Sequence, residues 1–159
     1  MIINNNPNNN FREIKKIYIF KNDVLNPIYF YDKTTDSQDA ISEIETSLIC
    51  VINNVIPDDF HRSIVTKSIN GNIYYEVNIS IDLYDLHKDK ILELNELFNK
   101  KGFGICYETQ EEQYVIGNED EALNINIIDN IKENGRGEDY ITIAISGETI
   151  YRPIIHTII

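Results

Sequence analysis

The sequence predicts an α+β fold, a largely antiparallel β-sheet with two principal helices packed on one face, and three observations carry that expectation. Ile73 to Leu83 alternates strictly: Ile73, Tyr75, Val77, Ile79, Ile81 and Leu83 stand against Tyr74, Glu76, Asn78, Ser80 and Asp82, the period-2 pattern of a strand with one buried face. Two other stretches carry apolar residues at helical spacing. The remaining apolar runs are short, β-branched or aromatic, and separated by turn residues, which suits antiparallel connections.

Taken in order, residues 1–10 are polar and asparagine-rich and read as a disordered tail, leaving residues 11–159 as a single α+β domain. A chain of 159 residues buries roughly two-thirds of its unfolded surface, enough for a core without disulfide or metal staples. Ile17 to Phe20 and Ile28 to Tyr31 are β-rich runs flanking a loop that ends at Pro27, so an amino-terminal hairpin is expected. Ile41, Ile44, Leu48, Val51, Ile52 and Val55 then form a helical stripe, with Thr35 and Gln38 in capping-box spacing and Pro57 as a stop, which places helix one at Ser37 to Val55. Ile64 to Ile69, the turn Asn70-Gly71-Asn72 and the alternating strand form a second hairpin, because Asn-Gly supplies the positive φ values of a tight turn.

Helix two follows, with the stripe Leu86, Lys90, Ile91, Leu94, Leu97 and Phe98, and ends at Lys100-Lys101-Gly102, where cations meet the negative helix terminus. Phe103, Ile105 and Tyr107 begin a strand directly after that glycine, and Tyr114 to Ile116 another. Leu123 to Ile128 fits either period and is read as a strand. Tyr140 to Ile145 and Thr149 to Tyr151 are read as strands around a Ser146-Gly147-Glu148 turn, with Pro153 marking an edge strand or an exit. Cys50 and Cys106 have apolar neighbours and read as reduced core thiols.

Chemistry is sparse by comparison. His61, His87 and His156 show no metal-ligand spacing, and there is no nucleophile elbow, phosphate loop, dinucleotide fingerprint or calcium loop, so neither catalytic residues nor a metal or cofactor are expected. Asp58, Asp59 and His61, and Asp82, Asp85 and His87, are the densest ligand-type clusters; loop decoration and helix capping account for them. No basic n-region with an apolar core opens the chain and no run reaches the ~18 apolar residues of a membrane span, so a cytoplasmic protein with no membrane association is expected.

The outstanding signal is charge. Net charge is -12, beyond the magnitude of ~2 to 8 that keeps a small domain soluble. Half the acids fall in two windows that hold no lysine or arginine, one between Lys33 and Arg62 and one between Lys101 and Lys132. The second contains Glu108, Glu111, Glu112, Glu119, Asp120, Glu121 and Asp129. Such windows steer a basic protein partner and disfavour direct nucleic-acid binding. Desolvated anchors must add affinity, and Tyr74, Tyr84, Tyr107 and Tyr114 are the candidates, alongside Glu76 and Asp82 on the polar side of the alternating strand.

In size, acidity, lack of export signal and lack of catalytic motif the chain resembles bacterial toxin-immunity proteins, including those of contact-dependent inhibition systems. The resemblance is compositional, covers the whole chain and transfers no residues. It implies a small antagonist of a basic toxin, such as a nuclease. Two alternatives from other classes are a DNA-mimic inhibitor of a nucleic-acid enzyme and a small enzyme or ligand-binding domain using His61 or His87 with nearby carboxylates.

Overall fold

The computed structural model describes residues 14–26, 29, 37–84, 88–98, 102–130 and 140–157, so the tail expected at residues 1–10 lies outside the described residues. The elements run β1 (Lys16–Lys21), α1 (Ser37–Thr46), β2 (Leu48–Asn53), β3 (Phe60–Ile69), β4 (Asn72–Tyr84), α2 (Lys88–Phe98), β5 (Phe103–Glu108), β6 (Glu112–Ile116), β7 (Asn124–Asn130), β8 (Tyr140–Thr149) and β9 (Ile154–Thr157). Short 3-10 turns follow β1 and precede β3. The strands form two sheets, ordered β2-β1-β5-β6-β9 and β3-β4-β8-β7, and every pairing of neighbours is antiparallel.

These sheets pack face to face. Ile17, Ile19, Ile105 and Tyr107 of the first share one buried cluster with Val77, Ile79, Ile81, Ile143 and Ile145 of the second. Full burial of each such side chain stabilises the fold by about 1.5–3 kcal/mol relative to exposure, so this interface dominates the favourable side of folding. The outer side of the first sheet is covered too: Phe20, Cys106, Val115 and Ile154 pack with Leu25 and with Ile41 and Ile44 of α1. Hence β5 is buried on both faces from Phe103 to Tyr107. α2 goes elsewhere, sending Leu94 into the inter-sheet cluster and running beside β7.

The described residues thus form mostly antiparallel sheet, and the helices α1 and α2 join different cores. The expectation of two helices on one face is corrected, and with it the idea that the odd face of β4 packs beneath both. That face meets the first sheet instead, with Val77, Ile79 and Ile81 each no more than 2% exposed. One flat sheet would leave the apolar residues of nine strands in water on one side; stacking two sheets hides both inner faces.

Local departures from the sequence reading have identifiable causes. α1 stops at Thr46, and Leu48 to Asn53 becomes β2, because Ile49, Val51 and Ile52 suit a strand and β1 offers an edge, pairing Ile17 with Ile52 and Ile19 with Cys50. The expected hairpin between Ile17–Phe20 and Ile28–Tyr31 does not form: β1 pairs with β2 and β5, Tyr29 is helical, and residues 28, 30 and 31 lie outside the described residues. The Asn-Gly hairpin does form, with Asn70 at φ 52° and Gly71 at φ 83° and unbroken register from Phe60↔Ile81 to Ile69↔Asn72.

Ser146-Gly147-Glu148 is not a turn but part of β8, paired with Asn78, Val77 and Glu76. Gly147 serves close approach there, since a Cβ would come within 2.8 Å of Leu123 Cδ2. Leu123 in turn bridges to Phe103, with Leu123 N–H donating to Phe103 O at 2.8 Å, and this single antiparallel bridge joins the two sheets.

Candidate functional site

β4 occupies the middle of the second sheet, and its even-numbered residues face away from the core. In register with them lie the outward residues of β3, β8 and β7, so rows cross the whole sheet: Ser63, Asn78, Ser146 and Asn124, then His61, Ser80, Ala144 and Asn126. No described helix covers this face; α1 sits on the first sheet and α2 beside the inter-sheet core. Small side chains at its centre leave a shallow trough of 720 Å³ lined by His61, Ser63, Asn78, Ser80, Ala144 and Ser146 among others. Small polar residues of this kind allow another chain to approach closely while offering hydrogen bonds.

The two ends of the trough differ. At one, the rings of Tyr84 and Tyr140 lie 5.6 Å apart, Tyr84 Oη donates to Asp59 Oδ1 at 3.1 Å, and Thr142 Oγ1 donates to Asp82 Oδ1 at 2.6 Å. At the other, Lys67 Nζ lies 3.1 Å from Glu76 Oε2, and hydrogen bonds from Lys67 and then Asn78, followed by the charge of Lys67, hold Glu76 below the usual carboxylate range. Glu76 also stands directly opposite Glu148 across the β4–β8 ladder, a like-charge pair on an open surface. Tyr74, Glu76, Asp82 and Tyr84 are therefore brought onto one partly exposed face, as the alternation of β4 requires.

The other sequence-derived candidates are dispersed. Tyr107 and Tyr114 are 1% and 6% exposed, so they belong to the inter-sheet core and have no ring face to give a partner. Their rings stack at 4.9 Å and 7°, because β5 and β6 pair Tyr107 with Tyr114 on the inner side. Glu108 points to the opposite side of the first sheet, accepting from Tyr18 Oη at 3.0 Å and Gln113 Nε2 at 3.2 Å. Glu112 accepts from Tyr114 Oη, and Glu121 from Thr149 Oγ1 and, at 2.9 Å, from Ile150 N–H. Of that acidic window Glu111, Glu119, Asp120 and Asp129 stand exposed, Glu111 before β6, Glu119 and Asp120 after it and Asp129 on β7. The second window is thus spread over the two ends of β6 and an edge strand of the second sheet rather than gathered on one patch.

For the histidine reading, His61 is exposed and lines the open trough, among whose lining residues there is no carboxylate. His87 and Asp85 lie outside the described residues. Among the described residues no group of three or more histidine, cysteine or acidic side chains is placed to hold a metal ion. No helix of the described residues is long and apolar enough to cross a membrane.

Sequence reasoning passed over Ser63, Thr142, Ala144, Ser146, Asn124 and Asn126, which complete the face. Their signal was the alternation Tyr140, Thr142, Ala144, Ser146 against Ile141, Ile143, Ile145, readable only once Gly147 was known to continue the strand. It also passed over Arg62, which occupies an inward position of β3 between Phe60 and Ile64.

Comparison with known proteins found no matching family model, no matching curated protein and no matching solved structure.

Proposed function

We propose that this protein is a binding protein that neutralises a basic partner, in the manner of an immunity protein against a bacterial nuclease-type toxin, and that the partner docks on the uncovered face of β3-β4-β8-β7. The observation that carries this reading is an asymmetry: the first sheet is covered on both sides, while the second turns a four-strand face with a 720 Å³ trough to solvent. The net charge of -12 supports a basic partner, drawn in by the long-range field before contact. Exposed ion pairs contribute only ~0 to 1 kcal/mol each, so affinity rests on Tyr74, Tyr84 and Tyr140 being desolvated against the partner, and on backbone approach over Ser80 and Ala144.

The test is affinity capture at low salt followed by mass spectrometry, run with the wild-type chain, with Ser80→Arg and Ala144→Arg on the face, and with Gln110→Arg as an exposed control away from it. A discrete basic protein retained by wild type and by Gln110→Arg, and lost with both face variants, supports the proposal. Capture of no partner, or equal capture by the face variants, overturns it.

A further inference from the structure

Arg62 lies at the rim where side chains of β3 reach those of β5 and β6. Its guanidinium carbon is 5.5 Å from the ring centroid of Tyr107 and 5.7 Å from that of Tyr114, and Nη1 donates to Tyr107 Oη. The guanidinium therefore sits at the hydroxyl edge of two stacked tyrosines and is fixed there by one hydrogen bond. In a chain with 26 acidic residues, no described carboxylate forms an ion pair with it. Of its five N–H donors one is used by Tyr107, and the O–H of Tyr107, having accepted from Arg62, finds no acceptor among the described residues.

The nearest acids on β5 and β6 are engaged by other groups: Glu108 by Tyr18 and Gln113 on the far side of the sheet, and Glu112 by Tyr114 Oη. These unspent donors border a cavity of 230 Å³ whose other walls are Ile14, Pro57, Phe60 and Thr109. The hydroxyl of Thr109 is occupied, donating to Glu112 O at 3.1 Å and accepting from Glu112 N–H at 3.0 Å, so it holds the turn. Aromatic and aliphatic walls with one guanidinium and one phenolic donor are the recognition chemistry of a small apolar carboxylate.

We propose that this cavity binds a small monocarboxylate with an aromatic or branched apolar body, its carboxylate held by Arg62 and Tyr107 and its body against Phe60, Pro57 and Ile14. The volume lies below the ~300 Å³ where typical small-molecule pockets begin, which restricts the ligand to about the size of benzoate or phenylacetate. Burial raises the phenol of Tyr107, opposed by Arg62, to about 12, so it remains a donor at neutral pH. Phe60 and Arg62 line this cavity and also border the trough of the outer sheet face, but benzoate binding is read without any protein partner, so its failure is distinguishable from failure of the toxin-antagonist reading.

Calorimetric titration with benzoate, with benzamide as the neutral isostere, tests it on the full chain. Benzoate is expected to bind saturably and benzamide about tenfold or more weaker, the difference that a charge-assisted hydrogen bond makes. Arg62→Gln should lose a similar factor, with folding checked by circular dichroism, and Tyr107→Phe, which keeps the ring, a smaller one. Absence of saturable benzoate binding, equal affinity for the two probes, or undiminished binding by Arg62→Gln overturns the proposal. The comparison of two probes on the wild-type chain stands even if a variant fails to fold.

Discussion

Asn22 Nδ2 donates to the carbonyl of Asn118 at 2.7 Å, tying the turn after β1 to the turn after β6. Both residues are buried, and Asn118 Oδ1 in turn accepts from the N–H groups of Asp120 and Glu121, so one side chain orders two loops. Replacing Asn22 by Leu removes the shorter of two bonds to that carbonyl, leaving Glu121 N–H as its donor at 3.2 Å. The expected cost is about 0.5–1.5 kcal/mol, read as a lower urea midpoint with an unchanged m-value.

Gly117 and Gly71 both have positive φ, 96° and 83°, yet they should respond differently to alanine. At Gly71 an added Cβ meets nothing within 4 Å, so only the left-handed conformation is penalised, by about 1–2 kcal/mol. At Gly117 the Cβ would lie 2.8 Å from Gly104 Cα, backbone that cannot rotate away. Gly117→Ala is expected to destabilise clearly more than Gly71→Ala in parallel urea titrations; equal losses would refute the packing argument.

The acids of the second window separate into structural and free groups. Glu121→Ala removes acceptors for Thr149 and Ile150 and should cost about 1.5–3 kcal/mol, whereas Glu111→Ala should stay within about 0.5 kcal/mol of wild type. Once a partner is in hand, reversing Glu111, Glu119 and Asp120 to lysine should slow association and flatten its salt dependence while leaving dissociation nearly unchanged. An unaltered association rate in surface-binding kinetics rules out steering by these three.

Glu148→Lys converts the like-charge pair with Glu76 into an opposite-charge pair on the open face. Thermal and urea midpoints should rise. If the face takes a basic partner, the same change should weaken capture, so stability and binding move in opposite directions; a variant that gains both contradicts docking on this face.

Alkaline pH should unfold the protein. Burial pushes the Cys106 thiol from 9.0 to about 12 and the Tyr107 phenol from 10.0 to about 12, and Tyr18 is raised by burial and then by its bond to Glu108. The unfolded chain sheds these protons at the ordinary values while the native chain keeps them, so it binds fewer protons and stability falls as pH rises. The contribution is whole below about pH 9 and lost progressively toward about pH 12. Tyr107→Phe should make the fall shallower above about pH 10, measured as urea midpoint against pH.

Much of the secondary structure was legible because it rests on local rules. The alternation of β4 and the Asn-Gly turn dictate a strand and a hairpin whatever surrounds them. What failed depended on distant partners. Ile49, Val51 and Ile52 satisfy both helical and strand periods, and only the available edge of β1 decides for β2. Gly147 looks like a turn residue until Leu123 is seen packed against it. Tyr107 and Tyr114 have the composition of binding anchors, but β5 lies inside a sheet covered on both sides, a property of the layering rather than of any short stretch.

The order of β2-β1-β5-β6-β9 sets a constraint on synthesis. Tyr18 meets Glu108 ninety positions along the chain, so β1 cannot complete its place in the sheet until β5 has left the ribosome. The β3–β4 hairpin can close long before. For that interval Ile17 and Ile19 stand on a strand without its central neighbour, an aggregation-prone segment awaiting closure. Such distant pairing places folding in the slow, millisecond-to-second regime of β-rich domains, and leaves the partly synthesised chain exposing apolar strand surface that the finished protein hides.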